Sequence, residues 1–330
     1  MNLASVIKSV TVAAAMCWFA LSAGATVAQT KATIALNWVP EPEFGGIYQA
    51  LLDGTYAKNG LDVDIRPGGA GAPTWQRVAS GQVPFAVASA DEVVIARANG
   101  ADVVAIFTIY QTCPQGIMVH AERGLDSLQA VFNAGGTLAL EVGLPYGRFL
   151  EKKYGFGKVR RVPYTGGIAN FMADKNFAQQ CFVFAEPILA RRQGANPKVF
   201  LIADSGYNPY TGVVIARKKF IDDNPAAVMA MVRSLETGWT QYLLDPRAAN
   251  AEMGKLNPAM DEETFALGAD AQKPLVEMEH DDPRPLGQMR LERWETLVRQ
   301  LRELDVIDTS PDPSGCFIDR ATLEALAQGR

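Results

Sequence analysis

The strongest constraint on this chain is a change of hydrophobic period that repeats along it. Between residues 34 and 110, short apolar runs of the strand type alternate with longer runs whose apolar residues recur every three or four positions. Residues 34–38 (IALNW), 61–65, 83–89 and 103–110 read as strands. Residues 47–58, with Tyr48, Leu52 and Tyr56 on one face, read as a helix, as do 75–80 after Thr74 and a segment opened by Asp91. Asn59-Gly60 and Asn99-Gly100 are helix stops. Strands separated by helices predict a parallel sheet with helices on both faces.

Residues 116–120 (GIMVH) form an apolar strand leading away from this unit and read as a first crossing into a second lobe. The same pattern then resumes. Strands are expected at 137–142, 158–164, 182–184 and 199–203, with helices at 145–154, 166–175 and 187–192. Residues 212–216 (GVVIA) read as the return crossing. The rest is helical. Asn224-Pro225 places a cap and a proline at a helix start running to about residue 244, and Asp245-Pro246 repeats the device. Asp261 caps a helix with Glu262 and Glu263 in its first turn, residues 286–304 are strongly amphipathic, and Asp319 opens a last helix. The expected architecture is α/β with two lobes: a discontinuous lobe 1 of 29–119 and 217–330, and lobe 2 of 120–216. Two strands joining two lobes describe a hinged clamp.

Residues 1–28 are excluded from that fold. Lys8 supplies a positive start, 10–21 is an apolar run, and 22–28 is rich in small residues, which is the pattern of a cleaved secretory signal. The run is shorter than the roughly 20 residues a membrane span needs. Loss of Lys8 leaves thirty Lys and Arg against thirty-six Asp and Glu. With no basic block, nucleic acid is not an expected partner. Cys113, Cys181 and Cys316 remain and allow at most one disulfide. His120 and His280 stand alone and no pair has metal-ligand spacing, so neither a metal nor another cofactor is expected.

The candidate site lies at the carboxyl ends of strands, where open α/β sheets hold ligands. After the first strand, Pro40 and Pro42 force a turn. There Trp38 offers a flat apolar face, with Asn37, Glu41, Glu43 and Phe44 beside it. The loop Gly68, Gly69 and Gly71 could bring backbone N–H groups to an anion, or simply be a flexible loop. Ser89 and Asp91 follow a buried strand, although Asp91 as a helix cap would explain itself. In lobe 2, Tyr164, Gly166 and Gly167 form a strand-to-helix turn, and Gln180 and Glu186 flank the next strand. Tyr207, Asn208 and Tyr210 precede the return crossing. For catalysis the inventory is thin: no histidine neighbours a nucleophile and no Gly-x-Ser-x-Gly elbow occurs. A non-enzymatic, monomeric binder of a small molecule is the expectation.

The chain resembles the periplasmic substrate-binding proteins of the group that includes binders of thiamine-pyrimidine precursors and of alkanesulfonates. Leu36-Asn37-Trp38-Val39-Pro40, Gly60-Leu61-Asp62-Val63, Pro67-Gly68-Gly69, Val78-Ala79-Ser80-Gly81-Gln82 and Gly116-Ile117-Met118-Val119 carry the resemblance in order. It implies a type II periplasmic-binding-protein fold with two crossover strands and a helical C-terminal portion. It also implies delivery of a solute to an inner-membrane ABC permease. Pyrimidine-binding members, and the related fungal thiamine pyrimidine synthase, tend to have Asn and His where this chain has Glu41 and Phe44. That departure and the missing cysteine-rich segment argue against synthase chemistry. A small heteroaromatic solute is the leading expectation and an alkanesulfonate or other organic anion the rival.

Overall fold

The computed structural model describes residues 29–277 and 286–329. The expected secretory signal and His280 lie outside the described residues. Among the described residues ten strands form two five-stranded sheets. The first contains β1 (Thr30–Ala35), β2 (Leu61–Arg66), β3 (Phe85–Ala88), β4 (Val103–Tyr110) and β10 (Thr211–Arg217), in the order β2-β1-β3-β10-β4. The second contains β5 (Gln115–His120), β6 (Thr137–Leu140), β7 (Arg160–Pro163), β8 (Phe177–Phe182) and β9 (Pro197–Leu201), in the order β7-β6-β8-β5-β9. In each sheet the pairs around β1 or β6 are parallel, and one strand runs antiparallel to both neighbours: β10 in the first, β5 in the second.

Those two antiparallel strands are the segments expected to cross between lobes. They are sheet strands, and the crossings are the irregular stretches 111–114 and 206–210 beside them. The expected changeovers, after Val119 and after Ala216, therefore fall within β5 and β10. Apolar character marks a buried strand without saying which sheet it completes.

Helix positions follow the local signals closely, with instructive exceptions. The expected helix 47–58 is two helices, α1 (Gly45–Leu52) and α2 (Thr55–Lys58). Gly54 sits between them at φ 75°, and Asp53 Oδ1 accepts the Thr55 N–H at 2.9 Å. A Cβ on Gly45 would lie 2.1 Å from the Tyr242 ring, and one on Gly46 2.3 Å from the Trp239 ring. The glycine pair thus seats α1 against a long helix, Pro225–Leu244. Between β2 and β3, α3 (Thr74–Ala79) starts at Thr74 itself, with Pro73 in the cap position. After β3, α4 (Ala90–Ala98) is capped by Ser89 rather than Asp91: the Ser89 N–H donates to Glu92 Oε2 at 2.9 Å.

In the second sheet, α5 (Leu128–Asn133) precedes β6, α6 (Pro145–Tyr154) links β6 to β7, α7 (Ala169–Ala173) links β7 to β8 and α8 (Glu186–Arg192) links β8 to β9. The expected strand 182–184 falls at the end of β8. Only Phe182 is strand; beyond it the chain turns and Phe184 is drawn into the first sheet's core, its ring stacked on Tyr110 at 5.5 Å. The C-terminal helices are α9 (Lys218–Asp223), α10 (Pro225–Leu244), α11 (Arg247–Leu256), α12 (Glu262–Val276), α13 (Leu291–Glu303) and α14 (Arg320–Ala327). Asp261 and Asp319 cap as expected, accepting the backbone N–H of Thr264 and Thr322, each at 2.9 Å. Among the described residues no helix is long and apolar enough to cross a membrane.

Candidate functional site

A cleft of about 210 Å³ opens between the carboxyl ends of the two sheets. Its first wall is the turn after β1, whose shape is fixed from behind. Asn257 Nδ2 donates to Pro40 O at 3.1 Å, and Gln272 Nε2 donates to Pro42 O at 2.8 Å while its Oε1 accepts the Tyr110 hydroxyl at 2.6 Å. The Gly68 N–H donates to Trp38 O at 2.9 Å, and a Cβ on Gly68 would stand 2.1 Å from Leu36 O. Glycine is required there by close approach of two backbones. Held in this way, Asn37, Trp38, Glu41, Glu43 and Phe44 line the cleft.

The second wall comes from the other sheet. Tyr164 donates its hydroxyl to Glu186 Oε1 at 2.7 Å, and the Phe182 N–H donates to Glu186 Oε2 at 2.8 Å. Gln180 Oε1 accepts from the Glu141 N–H at 2.5 Å and from the Tyr146 hydroxyl at 2.6 Å. With that oxygen doubly engaged, the orientation of the amide is set by its partners. Of the residues expected from sequence, the cleft gathers Asn37, Trp38, Glu41, Glu43, Phe44, Ser89, Tyr164, Gln180 and Glu186, with Gly71 from the glycine loop.

The others lie elsewhere. Gly69 and Gly166 are outside the lining. Asp91 is buried behind it, accepting hydrogen bonds from Ser89 Oγ and, at 3.0 Å, from the Glu92 N–H. Tyr207, fully buried, places its hydroxyl 3.5 Å from Asp91 Oδ2. Tyr210 accepts the Arg290 N–H on its hydroxyl at 2.8 Å, and Asn208 Oδ1 accepts the Cys113 N–H at 2.8 Å. These three are fastenings of the second crossing, because a return strand buried on both faces turns its neighbours inward. Glu92, Glu141, Tyr146 and Gln115 line the cleft without having been expected. Glu141 directly follows β6 and Tyr146 opens α6, so closer attention to strand carboxyl ends would have found both.

The electrostatics of the cleft are one-sided. Glu41, Glu43, Glu92, Glu141 and Glu186 line it, and among the described residues no Lys, Arg or His does. Burial, then the charge of Glu186, pushes the Glu41 carboxyl up to about 8 despite the hydrogen bond it accepts from Trp38 Nε1 at 3.2 Å. Glu43 is held well above the usual carboxyl range by burial and then by Glu41 and Glu186. Burial also raises Glu186, against the lowering effect of Tyr164 and two backbone N–H groups. Burial and Asp91 push Glu92 up to about 7.

His120 is away from the cleft, fully buried and stacked on Phe171 with Nε2 2.8 Å from Phe171 O. Cys113, Cys181 and Cys316 are separate buried thiols. Burial raises all three, Cys113 and Cys316 to about 11, which suppresses the nucleophilic thiolate. Among the described residues no group of three His, Cys, Asp or Glu is placed to hold a metal ion.

This architecture has known counterparts. The periplasmic aliphatic sulphonate binding protein SsuA of Escherichia coli superposes with a TM-score of 0.68 at 13% identity, covering 88% of this chain and 92% of that one. The chain is 28% identical over 242 residues to the riboflavin-binding protein RibY of Chloroflexus aurantiacus, 66% of this chain and 64% of that protein. The match thus spans just under two thirds of that relative. It is 22% identical over 285 residues to the formylaminopyrimidine-binding protein of Halalkalibacterium halodurans, 83% of this chain and 86% of that protein. The family model described as NMT1/THI5 like matches residues 41–249. The two-sheet structure is a periplasmic-binding-protein fold, and the chain belongs to the NMT1/THI5-like family.

Proposed function

We propose that this protein is the exported, solute-binding component of an ABC importer. It holds a small heteroaromatic solute between its two sheets and presents it, in the periplasm, to an inner-membrane permease. The observation that carries this reading is the composition of the cleft: the half-buried rings of Trp38 and Tyr164 among carboxylates and amides, with no cationic side chain among the described residues. Flat rings stack on such faces, and ring N–H and amino groups donate to carboxylates. A sulfonate would meet five acids and, among the described residues, no counter-charge, and a shared fold with the Escherichia coli protein does not bring that protein's ligand with it.

We assign residues 29–110, 211–277 and 286–329 to one lobe and 115–205 to the other, with 111–114 and 206–210 as the hinge; the division into two sheets supports this. A solute touching both walls favours the closed arrangement by its differential affinity. The protein acts as a monomer and needs no cofactor.

The test is a thermal-shift series on the chain from residue 29 against aminopyrimidines, formylaminopyrimidine, riboflavin and alkanesulfonates. A heteroaromatic compound raises the melting temperature by mass action, and Trp38→Ala abolishes the shift. Stabilisation by alkanesulfonates alone, or full affinity in Trp38→Ala, refutes the reading.

A further inference from the structure

Three carboxyl groups converge in the cleft from opposite walls. Glu41 and Glu43 come from the turn after β1, Glu186 from the first turn of α8, and each of the first two lies in the field of Glu186. Glu186 spends both oxygens on Tyr164 and the Phe182 N–H, and Glu41 spends one on Trp38. Glu43 is different. It is 5% exposed, it lines the cavity, and its carboxyl has no hydrogen-bond partner among the described residues. Beside it on the same turn, Asn37 Oδ1 is a buried acceptor, also without a partner. Unpaired polar atoms inside a protein are costly unless a partner arrives, and here both residues line a cavity large enough to admit one.

The partner has to bring positive charge as well as N–H groups. Facing this turn are Glu92, with Asp91 behind it, from α4, Glu141 after β6, Tyr146 of α6, Tyr164 after β7, Cys181 of β8 and Tyr110 of β4. None of these groups can become a cation. A cation lets Glu41, Glu43 and Glu186 ionise against it, a gain that a neutral ring does not offer.

We propose that the cleft takes its solute as a planar, delocalised cation with an N–C–N edge, an amidinium or a protonated aminopyrimidine. Its N–H groups are bound by Glu43, the second oxygen of Glu41 and Asn37. This rests on the solute-clamp reading above and deepens it. Because burial favours the protonated form of these acids in the empty cleft, a permanent cation enters by displacing protons, so its affinity rises with pH until the acids ionise unaided. A neutral ligand carries no such slope, and an anion carries the opposite one.

The probes are benzamidine, cationic across the accessible range, its neutral isostere benzamide, and benzenesulfonate. Titration calorimetry of the chain from residue 29 is run between about pH 5.5 and 8.5 in buffers of different ionisation enthalpy, which counts protons exchanged. Benzamidine is expected to bind with release of protons, to tighten about tenfold across the range, and to exceed benzamide and benzenesulfonate about tenfold or more. Glu43→Gln and Glu41→Gln, measured separately, each weaken it and flatten its slope. Benzamide binding as tightly as benzamidine, or a flat profile for benzamidine, overturns the cation assignment. If aminopyrimidines then bind without a pH slope, the cation class falls and the clamp stands; if no planar compound binds in any charge state, both fall.

Discussion

Arg293 sits over the ring of Tyr210, its guanidinium carbon 3.7 Å from the ring centroid, and from that position it fastens both crossings between the sheets. One nitrogen donates to Gln111 O at 2.5 Å in the first crossing, and another to Asn208 O at 2.7 Å in the second. A planar fork is the shape that can serve two such acceptors at once.

Arg293→Met therefore removes two charge-assisted hydrogen bonds from a buried place. The expected loss is about 2–4 kcal/mol, read as a lower denaturant midpoint. Arg293→Lys restores the charge without the fork and recovers less than half of that. Recovery to wild-type stability by Lys would show that charge alone, not the two-crossing geometry, is what matters.

The cleft acids make a second prediction, for stability in the absence of solute. Glu41 has an ordinary value of 4.5 in the unfolded chain and about 8 in the folded one. Its folded value is raised, so its favourable contribution is fully present below the unfolded value and is lost as pH rises through about 8. The melting temperatures of wild type and Glu41→Gln should coincide most nearly at about pH 5, and the variant should become the more stable of the two by about pH 8.5. A difference that stays constant with pH contradicts the burial of this carboxyl.

Gly68→Ala tests the local architecture of the jaw. Its new methyl group would overlap Leu36 O, part of the backbone leading out of β1. Relief requires the first turn to move away from the glycine loop, costing about 1–3 kcal/mol and several degrees in melting temperature. Gly69→Ala, where nothing lies within 4 Å of the added atom, is the control and should melt close to wild type.

A thiol-titrating disulfide reagent should label none of Cys113, Cys181 and Cys316 in the native protein and all three after denaturation, since each is buried and unpaired. Slow native labelling of Cys181, the one thiol in the cleft lining, would report opening between the sheets, and a bound solute should suppress it.

The candidate site was legible where it depended on a single strand end. Asn37, Trp38, Glu41, Glu43 and Phe44 are within eight residues of one another, and the prolines among them announce a turn. Ser89 and Glu186 were likewise marked by their place between a strand and a helix. Tyr207, Asn208 and Tyr210 carried the same kind of signal and turned out to hold the second crossing together. Local sequence marks a residue as lying near a hinge but does not say whether its side chain points into the cleft or under Arg293.

What the sequence by itself determined is the succession of strands and helices, with caps at Asp261 and Asp319, because hydrogen bonding and side-chain periodicity are settled within a few neighbours. Only the tertiary structure decided which sheet β5 and β10 complete, that Phe184 leaves its strand to stack on Tyr110, and that Glu43 and Glu186 line one cleft from opposite walls. Those outcomes depend on burying apolar faces against partners distant in the chain. A carboxylate's charge, too, is set by the groups packed around it rather than by its neighbours in sequence.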